Sequence, residues 1–416
     1  MNAVAPMAPP SQSRWRTVPL STICTFKPPK SIPRKMLTND TEVSFVPMND
    51  LGELEKHFQP MEVRRFAEVV KGYTYFADGD VLCAKITPCF ENGKLGIARE
   101  LKNGVGFGSS EFVVMRPKAE LLSEFLYYYL SRDTFRESGA RVMTGAVGHK
   151  RVPKEYFEDL SIPLPPLDEQ KRIVAVLDQA FTALDRARAH AEANLADAEE
   201  LLENGVNEIF TAPADTSKVI SLAEAVHPDC KLSYGIVQPG DEVEGGLPVV
   251  RPVDLKMRIL SPGGLKRISP DRAEGYARTK LVGGELLLCV RGSTGEMSVA
   301  SAELAGANVT RGIVPIRFPD ESVLPEFAYF QLRSRYAQDQ IAAGTYGAAL
   351  MQINIKDLRK LRFIVPSIED QQEIISRAEL LYERAGSLRD IYATKLTDIA
   401  DLRQSLLQKA FSGQLT

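Results

Sequence analysis

The 416-residue chain is poor in the residues that metal and disulfide chemistry need. It has four histidines and five cysteines, Cys24, Cys83, Cys89, Cys230 and Cys289, with no CxxC pair. An odd, scattered set neither builds a disulfide framework nor supplies paired zinc ligands, so the cysteines are expected as small buried apolar residues. No apolar run approaches the eighteen or so residues of a membrane span. The opening MNAVAPMAPPSQSR lacks a basic segment followed by an apolar one, which predicts a disordered leader over 1–13 and a cytoplasmic location. Catalytic signatures are missing as well. There is no GxxxxGK[ST] loop and no HExxH, and GVGFGSS at 104–110 lacks the spacing and the strand-to-helix setting of a dinucleotide fingerprint. No NPPF- or DPPY-like run of an amino-methyltransferase occurs. Asp229 after Pro228, then Asp254 and Lys256, fit a loose metal-nuclease pattern of a kind that arises by chance in chains this long.

What the chain does have is an internal echo. PLPPLDEQKRIVAVLD at 163–178 is answered 201 residues later by IVPSIEDQQEIISRAE at 364–379. The match runs without a gap from Thr144–Phe210 to Thr345–Phe411, with only 10 identities in 67 positions, so pattern carries it more than identity. Apolar residues recur in alternating steps of four and three at Leu177, Phe181, Leu184, Ala191, Leu195, Ala198, Leu202 and Ile209, with Arg188 and Gly205 completing the series. The second series is Ala378, Tyr382, Ala385, Arg389, Tyr392, Leu396, Ile399, Arg403, Leu406 and Ala410. Each is a coiled-coil seam, and two seams of equal length in one chain are most economically buried against each other. Pro165 and Pro366 end the preceding strands, and Asp168, Glu169, Glu369 and Asp370 place negative charge at the helix starts, where the helix dipole favours it. Forty-three helical residues make a rod of about 65 Å.

The remaining segments read as mixed α and β. DVLCAKI, EFVVMRP, ELLLCVRG and GIVPIRF are short apolar runs bounded by Gly or Pro, as strands are, and SEFLYYYLSRDTFRES and PEFAYFQLRSRYAQDQI read as helical. The expected organisation is a globular domain over 14–167, a helix over 168–210, a second domain over 211–368 and a second helix over 369–416. Charge follows this division. Lys and Arg exceed Asp and Glu by 22 to 19 and 19 to 17 in the two globular segments, and fall short by 4 to 10 and 6 to 8 in the two helices. Basic surface therefore belongs to the globular parts.

Candidate binding residues cluster on loops there. TGAVGHKRVPK at 144–154 carries His149, Lys150, Arg151 and Lys154 behind a Gly-rich turn, either as a solvated loop or as a contact to phosphate. Its counterpart TYGAALMQINIKD carries Tyr346, Gln352, Asn354 and Lys356; Gln and Asn can pair with adenine through two bonds, and are also ordinary turn residues. CVRGSTGEMS offers Arg291, Ser293 and Thr294 on a hairpin turn, and Lys85 ends the strand DVLCAKI.

These stretches resemble the specificity subunits of type I restriction-modification systems. The resemblance is carried by PLPPLDEQKRI and its echo VPSIEDQQEII, by LSYGIVQPGDEVEGGLPVVRPVDL at 232–255, by LLLCVRGSTGEMSVA at 286–300 and by SLLQKAFSGQL at 405–415. It implies an α+β fold of two target-recognition domains, each followed by a long helix, with the helices pairing antiparallel. It implies no catalysis by this chain and no cofactor of its own. S-adenosylmethionine, ATP and magnesium belong to partners: two modification subunits that methylate adenine in double-stranded DNA, and restriction subunits. The second echo departs from the pattern at Ser367 and Gln372. A chain of this architecture acting alone, as a DNA-binding scaffold or regulator without a methyltransferase, is the alternative.

Overall fold

The two seams become two long helices, Leu167–Thr211 and Ile368–Phe411. Every seam residue is buried or half-buried except Arg188 and Arg389, which are exposed at the same place in each helix. The computed structural model describes residues 15–146, 148–211, 218–319, 321–347 and 351–415, and the expected leader over 1–13 lies outside them. The chain divides into two compact units, one running to Ala191 and resuming at Thr394, the other spanning Glu192–Ala393. Each long helix thus gives its first half to one unit and its second half to the other.

In the first unit the helices run antiparallel. Ile173, Leu177 and Phe181 share a core with Leu407, Ala410 and Phe411, and Arg403 pairs with Asp185 at 2.8 Å. The globular domain rests on this pair through Ser123–Leu130, whose Phe125 and Tyr129 meet the Phe411 ring at 5.0 and 5.1 Å between centroids. Two sheets form the domain. One orders the strands Cys24–Phe26, Phe112–Pro117, Val81–Ala84 and Leu95–Ile97; the other orders Glu62–Arg65, Glu42–Val46, Val105–Gly108 and Thr74–Ala77, with its middle pair parallel. A two-stranded ribbon of Arg16–Pro19 against Ser161–Leu164 ties the start of the domain to the strand that leads into the helix.

The second unit repeats this plan. Val206, Ile209 and Phe210 share a core with Ala378, and Gly205 lies so close to the facing helix that a Cβ there would sit 2.8 Å from Leu381. Phe327 meets Phe210 at 5.8 Å. One sheet orders Ile259–Leu260, Met297–Ala300, Leu286–Cys289 and Ile313–Ile316; the other keeps three strands, Lys266–Ile268, Leu247–Val250 and Asn308–Val309, again with a parallel pair. The ribbon of Lys218–Ser221 against Arg362–Val365 matches that of the first unit.

One glutamine in each unit locks domain to helix. Gln170 is fully buried; its Oε1 accepts from the Leu122 amide at 2.9 Å, and its Nε2 donates to the carbonyls of Glu120 and Pro165 at 2.8 and 2.9 Å. Gln371 makes the same three bonds, with the Leu324 amide and the Ser322 and Pro366 carbonyls, at 2.8, 2.8 and 3.1 Å. A buried amide that lost these partners would be costly, which accounts for glutamine recurring where neighbouring positions drift.

Two expectations need correction. The helical stretches are each two helices, Ser123–Leu130 with Asp133–Arg141 and Pro325–Arg333 with Arg335–Ala343. Ser131 and Ser334 break them by turning their hydroxyls onto the Tyr127 and Gln331 carbonyls, the local competition that makes serine a poor helix interior. Of the five cysteines, Cys24, Cys83 and Cys289 are buried, but Cys89 and Cys230 are half-buried, Cys230 because it sits in a turn whose amide donates to His227. Burial pushes the Cys24 and Cys83 thiols up to about 12, so neither is a nucleophile at neutral pH.

Candidate nucleic-acid interface

Three backbone hydrogen bonds build the same frame in both units. In the first, the Lys85 amide donates to the Glu111 carbonyl, the Val152 amide to the Lys85 carbonyl and the Thr87 amide to the Lys150 carbonyl, at 3.0, 2.8 and 3.0 Å. In the second, Val290 donates to Gly312, Ile353 to Val290 and Gly292 to Met351, at 2.8, 3.0 and 2.8 Å. Lys85 therefore corresponds to Val290, Glu111 to Gly312 and Arg151 to Gln352. The frame joins the end of a central strand to the loop preceding the ribbon strand, so it is held by the core; Lys85, Glu111 and Arg151 of the first frame are half-buried or exposed, whereas Val290 and Gly312 of the second are buried and Gln352 is half-buried.

The first frame is basic. Lys85 and Arg151 flank the Glu111 carboxylate, at 4.0 and 2.8 Å, and Arg151 holds that carboxyl below its ordinary range. Lys154 pairs with Glu158 at 2.5 Å, while His149 and Lys150 are exposed. All five predicted residues thus lie on one frame. Beside them opens a cavity of about 720 Å³ lined by Lys85, Arg151 and Lys154 together with Lys27, Lys30, Phe26, Tyr73, Tyr75 and Phe112. Lys27 has φ 49°, a left-handed backbone that a non-glycine residue adopts at a cost, and is followed by Pro28 and Pro29, so a stiff turn presents Lys27 and Lys30. Desolvation, with Arg34 and Lys27 adding to it, lowers the Lys30 ammonium below its usual range. Sequence reading missed these two lysines; the signal available was the K-P-P-K run itself.

The second frame is mostly uncharged. Arg291 and Gln352 are bridged through their backbones, Tyr346 pairs with Gln352 across a short ribbon and donates its hydroxyl to Asn354 Oδ1 at 2.6 Å. Ser293 is exposed on the hairpin turn and Lys356 on the short helix Ile355–Leu358. Thr294 is placed differently. Its hydroxyl is shut from water without a partner, in a cleft of about 410 Å³ that it shares with Glu199, Glu203, Glu296 and Arg333. Tyr234, which sequence reading passed over, accepts from the Ile355 amide and braces this frame from behind.

Chemically, both frames can hold surface side chains in fixed positions and donate or accept hydrogen bonds. The nuclease pattern does not assemble in this way: the Asp254 carboxylate is taken up by the Arg251 guanidinium and backbone amide, and Asp229 is 81% exposed. Among the described residues no group of three His, Cys, Asp or Glu could hold a metal ion, and no helix is long and apolar enough to cross a membrane.

Comparisons with known proteins agree with this duplicated plan. The family model for the type I restriction modification DNA specificity domain matches residues 12–193 and 241–385. The EcoEI specificity subunit of Escherichia coli is 34% identical over 278 residues, covering 62% of this chain and 46% of that protein. The EcoAI specificity subunit of the same species is 35% identical over 211 residues, covering 50% and 34%. The chain thus spans less than half the length of these two relatives. Among solved structures, a chain from a study of complex assembly and conformational transition of the type I R-M system superposes with a TM-score of 0.79 at 21% identity, covering 98% of this chain and all of that one. The HsdS subunit from Thermoanaerobacter tengcongensis gives 0.60 at 20% identity, covering 96% and 97%. With the family model matched once in each half and across most of its length, the chain belongs to the type I restriction-modification DNA specificity family.

Proposed function

We propose that the chain is the DNA-reading subunit of a type I restriction-modification complex, each half recognising one of two unlike half-sites in double-stranded DNA. One observation carries this reading: three identical backbone bonds build a frame that offers Lys85, Glu111 and Arg151 in one half and, beside a buried Val290 and Gly312, the uncharged Gln352 in the other. A scaffold built twice with different tips suits two different readouts at matched places. Lys27, Lys30, Lys85 and Lys154 line one cavity, and a basic lining suits phosphate, which positions without specifying.

Under the same reading the chain is not itself an enzyme. Methyl transfer, with S-adenosylmethionine, belongs to two modification subunits, and ATP- and magnesium-dependent cleavage to restriction subunits, all in the cytoplasm. The acidic helices suit contact with partner proteins better than contact with phosphates. At 45 and 44 residues they are each about 66 Å long and set the separation of the half-sites. Co-expression with a cognate modification subunit, followed by mapping of methylated adenines in the host genome, is expected to return a split, non-palindromic target. Unmethylated DNA, or a palindromic target, would contradict the proposal. Four residues inserted at matched positions of the helices should lengthen the gap and leave both half-sites intact; altered half-sites with an unchanged gap would rule the helices out as the spacer.

A further inference from the structure

Arg151 is held more tightly than a phosphate contact requires. Its Nε and Nη2 donate to the two Glu111 carboxylate oxygens at 2.8 to 3.2 Å, and its Nη1 donates to the His149 carbonyl at 3.0 Å. A guanidinium carries five N–H groups in a rigid plane. Three are engaged here, one on each nitrogen, which leaves one N–H on each of the two terminal nitrogens. The two terminal nitrogens make the end-on fork of a guanidinium, and the side chain is 46% exposed.

Glu111 is itself fixed. Its amide donates to Ser109 Oγ at 3.2 Å, its carbonyl belongs to the three-bond frame, and its side chain is only 22% exposed. Glu111 therefore cancels much of the charge of Arg151 while holding its direction. For a phosphate contact that is the wrong trade, because charge is what such a contact uses. For a base edge it is the right one, since two parallel donors on a fixed plane match the O6 and N7 acceptors of guanine in the major groove. The second unit supports the distinction. Gly312 stands in the place of Glu111, where a Cβ would lie 2.6 Å from Pro252, and the residue in the place of Arg151 is the uncharged Gln352, which needs no acid beside it.

We propose that Arg151 reads a guanine in the half-site of the first domain, with its two remaining N–H groups donating to O6 and N7 and Glu111 acting as its positioning residue. This rests on the DNA-reading function proposed above. The test is selection from randomised duplex DNA by the full-length chain, sequenced for the wild type and for R151A, R151K, E111A and E111Q.

The wild type is expected to enrich a half-site with one invariant G·C pair. R151A and R151K should both lose the preference there by roughly 5- to 150-fold, the worth of a two-bond base contact, with every other position unchanged. R151K keeps the charge and should hold non-specific DNA as the wild type does. E111A should weaken the preference at that one position while raising affinity for non-specific DNA, whereas loss of a merely structural carboxylate would weaken every position alike. E111Q, which keeps an acceptor, should recover part of the preference. The proposal is overturned if R151K selects like the wild type, or if R151A weakens all sequences alike. It is also overturned if the wild-type target has no G·C pair that depends on Arg151. If the wild type enriches no sequence at all, the DNA-reading function itself fails. Unchanged thermal unfolding of each variant separates these outcomes from misfolding.

Discussion

The first domain and the second share their buried parts and differ at their tips. Val81–Ala84 and Leu286–Cys289 occupy the same place in their sheets, and Gln170 and Gln371 make the same three bonds. At the matching frame positions, a half-buried lysine corresponds to a buried valine, a half-buried glutamate to a buried glycine and an exposed arginine to a half-buried glutamine. Edges differ too: among the described residues no strand of the second unit takes the place of Thr74–Ala77, and where His57 bridges Ile97, Ile259 bridges Val299. Packing and backbone bonding tolerate little change, whereas a loop hung from a rigid frame can vary its side chains at small cost.

A further comparison is where each domain finds its support. The first rests on Phe411, nearly 300 residues from Phe125, and the second on Phe210, although in sequence Phe210 follows the first domain. Even the helix caps cross over: Gln404 Oε1 accepts from the Asp133 amide at 3.0 Å, and Asn207 Oδ1 from the Arg335 amide at 2.6 Å. The largest effects are expected here. Phe411→Ala should cost about 3–5 kcal/mol, as truncation of a buried aromatic does, and should speed amide hydrogen exchange in the first domain while sparing the second. Phe210→Ala should do the reverse. Exchange that rises in the domain preceding each helix in sequence would break the comparison.

Next in size are the glutamines. Gln170→Ala and Gln371→Ala each strand one amide and two carbonyls in a dry site, so each should cost about 2–4 kcal/mol by urea unfolding, equally in the two units. A marked inequality would show that the shared geometry hides different energetics.

The smallest effect separates the units by pH. Burial, with Lys56 and Arg99 nearby, holds His57 below its ordinary value, and its Nδ1 is enclosed without a partner. Above about 6.5 the ring is neutral in both folded and unfolded chains and contributes nothing to pH dependence. As the pH falls below 6.5, the unfolded chain takes up the proton first, so the first unit loses stability until the folded value is reached. The second unit, with Ile259 in that place, lacks this loss. Unfolding followed unit by unit between pH 7 and pH 5 checks it, and His57→Phe should remove the difference.

Much of this was legible in the sequence because it is periodic. Four- and three-residue steps located both seams, although Arg188 and Arg389, set on them by the same steps, are exposed, and short apolar runs bounded by Gly or Pro marked strands of the sheets. The 201-residue offset placed Arg151 opposite Gln352 correctly. What was not legible depends on contacts distant in sequence. Glu111 is 40 residues from the arginine it holds, and Lys27 reaches the same cavity from the other end of the domain. The breaks at Ser131 and Ser334 were hidden because apolar periodicity continues across them while the hydroxyls turn inward.

The central claim is that each half reads its own half-site from its own frame. The most direct measurement is a genome-wide map of methylated adenines for the complex carrying Gln352→Ala. One half-site should relax at a single position, with the other half-site and the number of unspecified base pairs between them unchanged. Change in both half-sites, or in neither, would contradict the account.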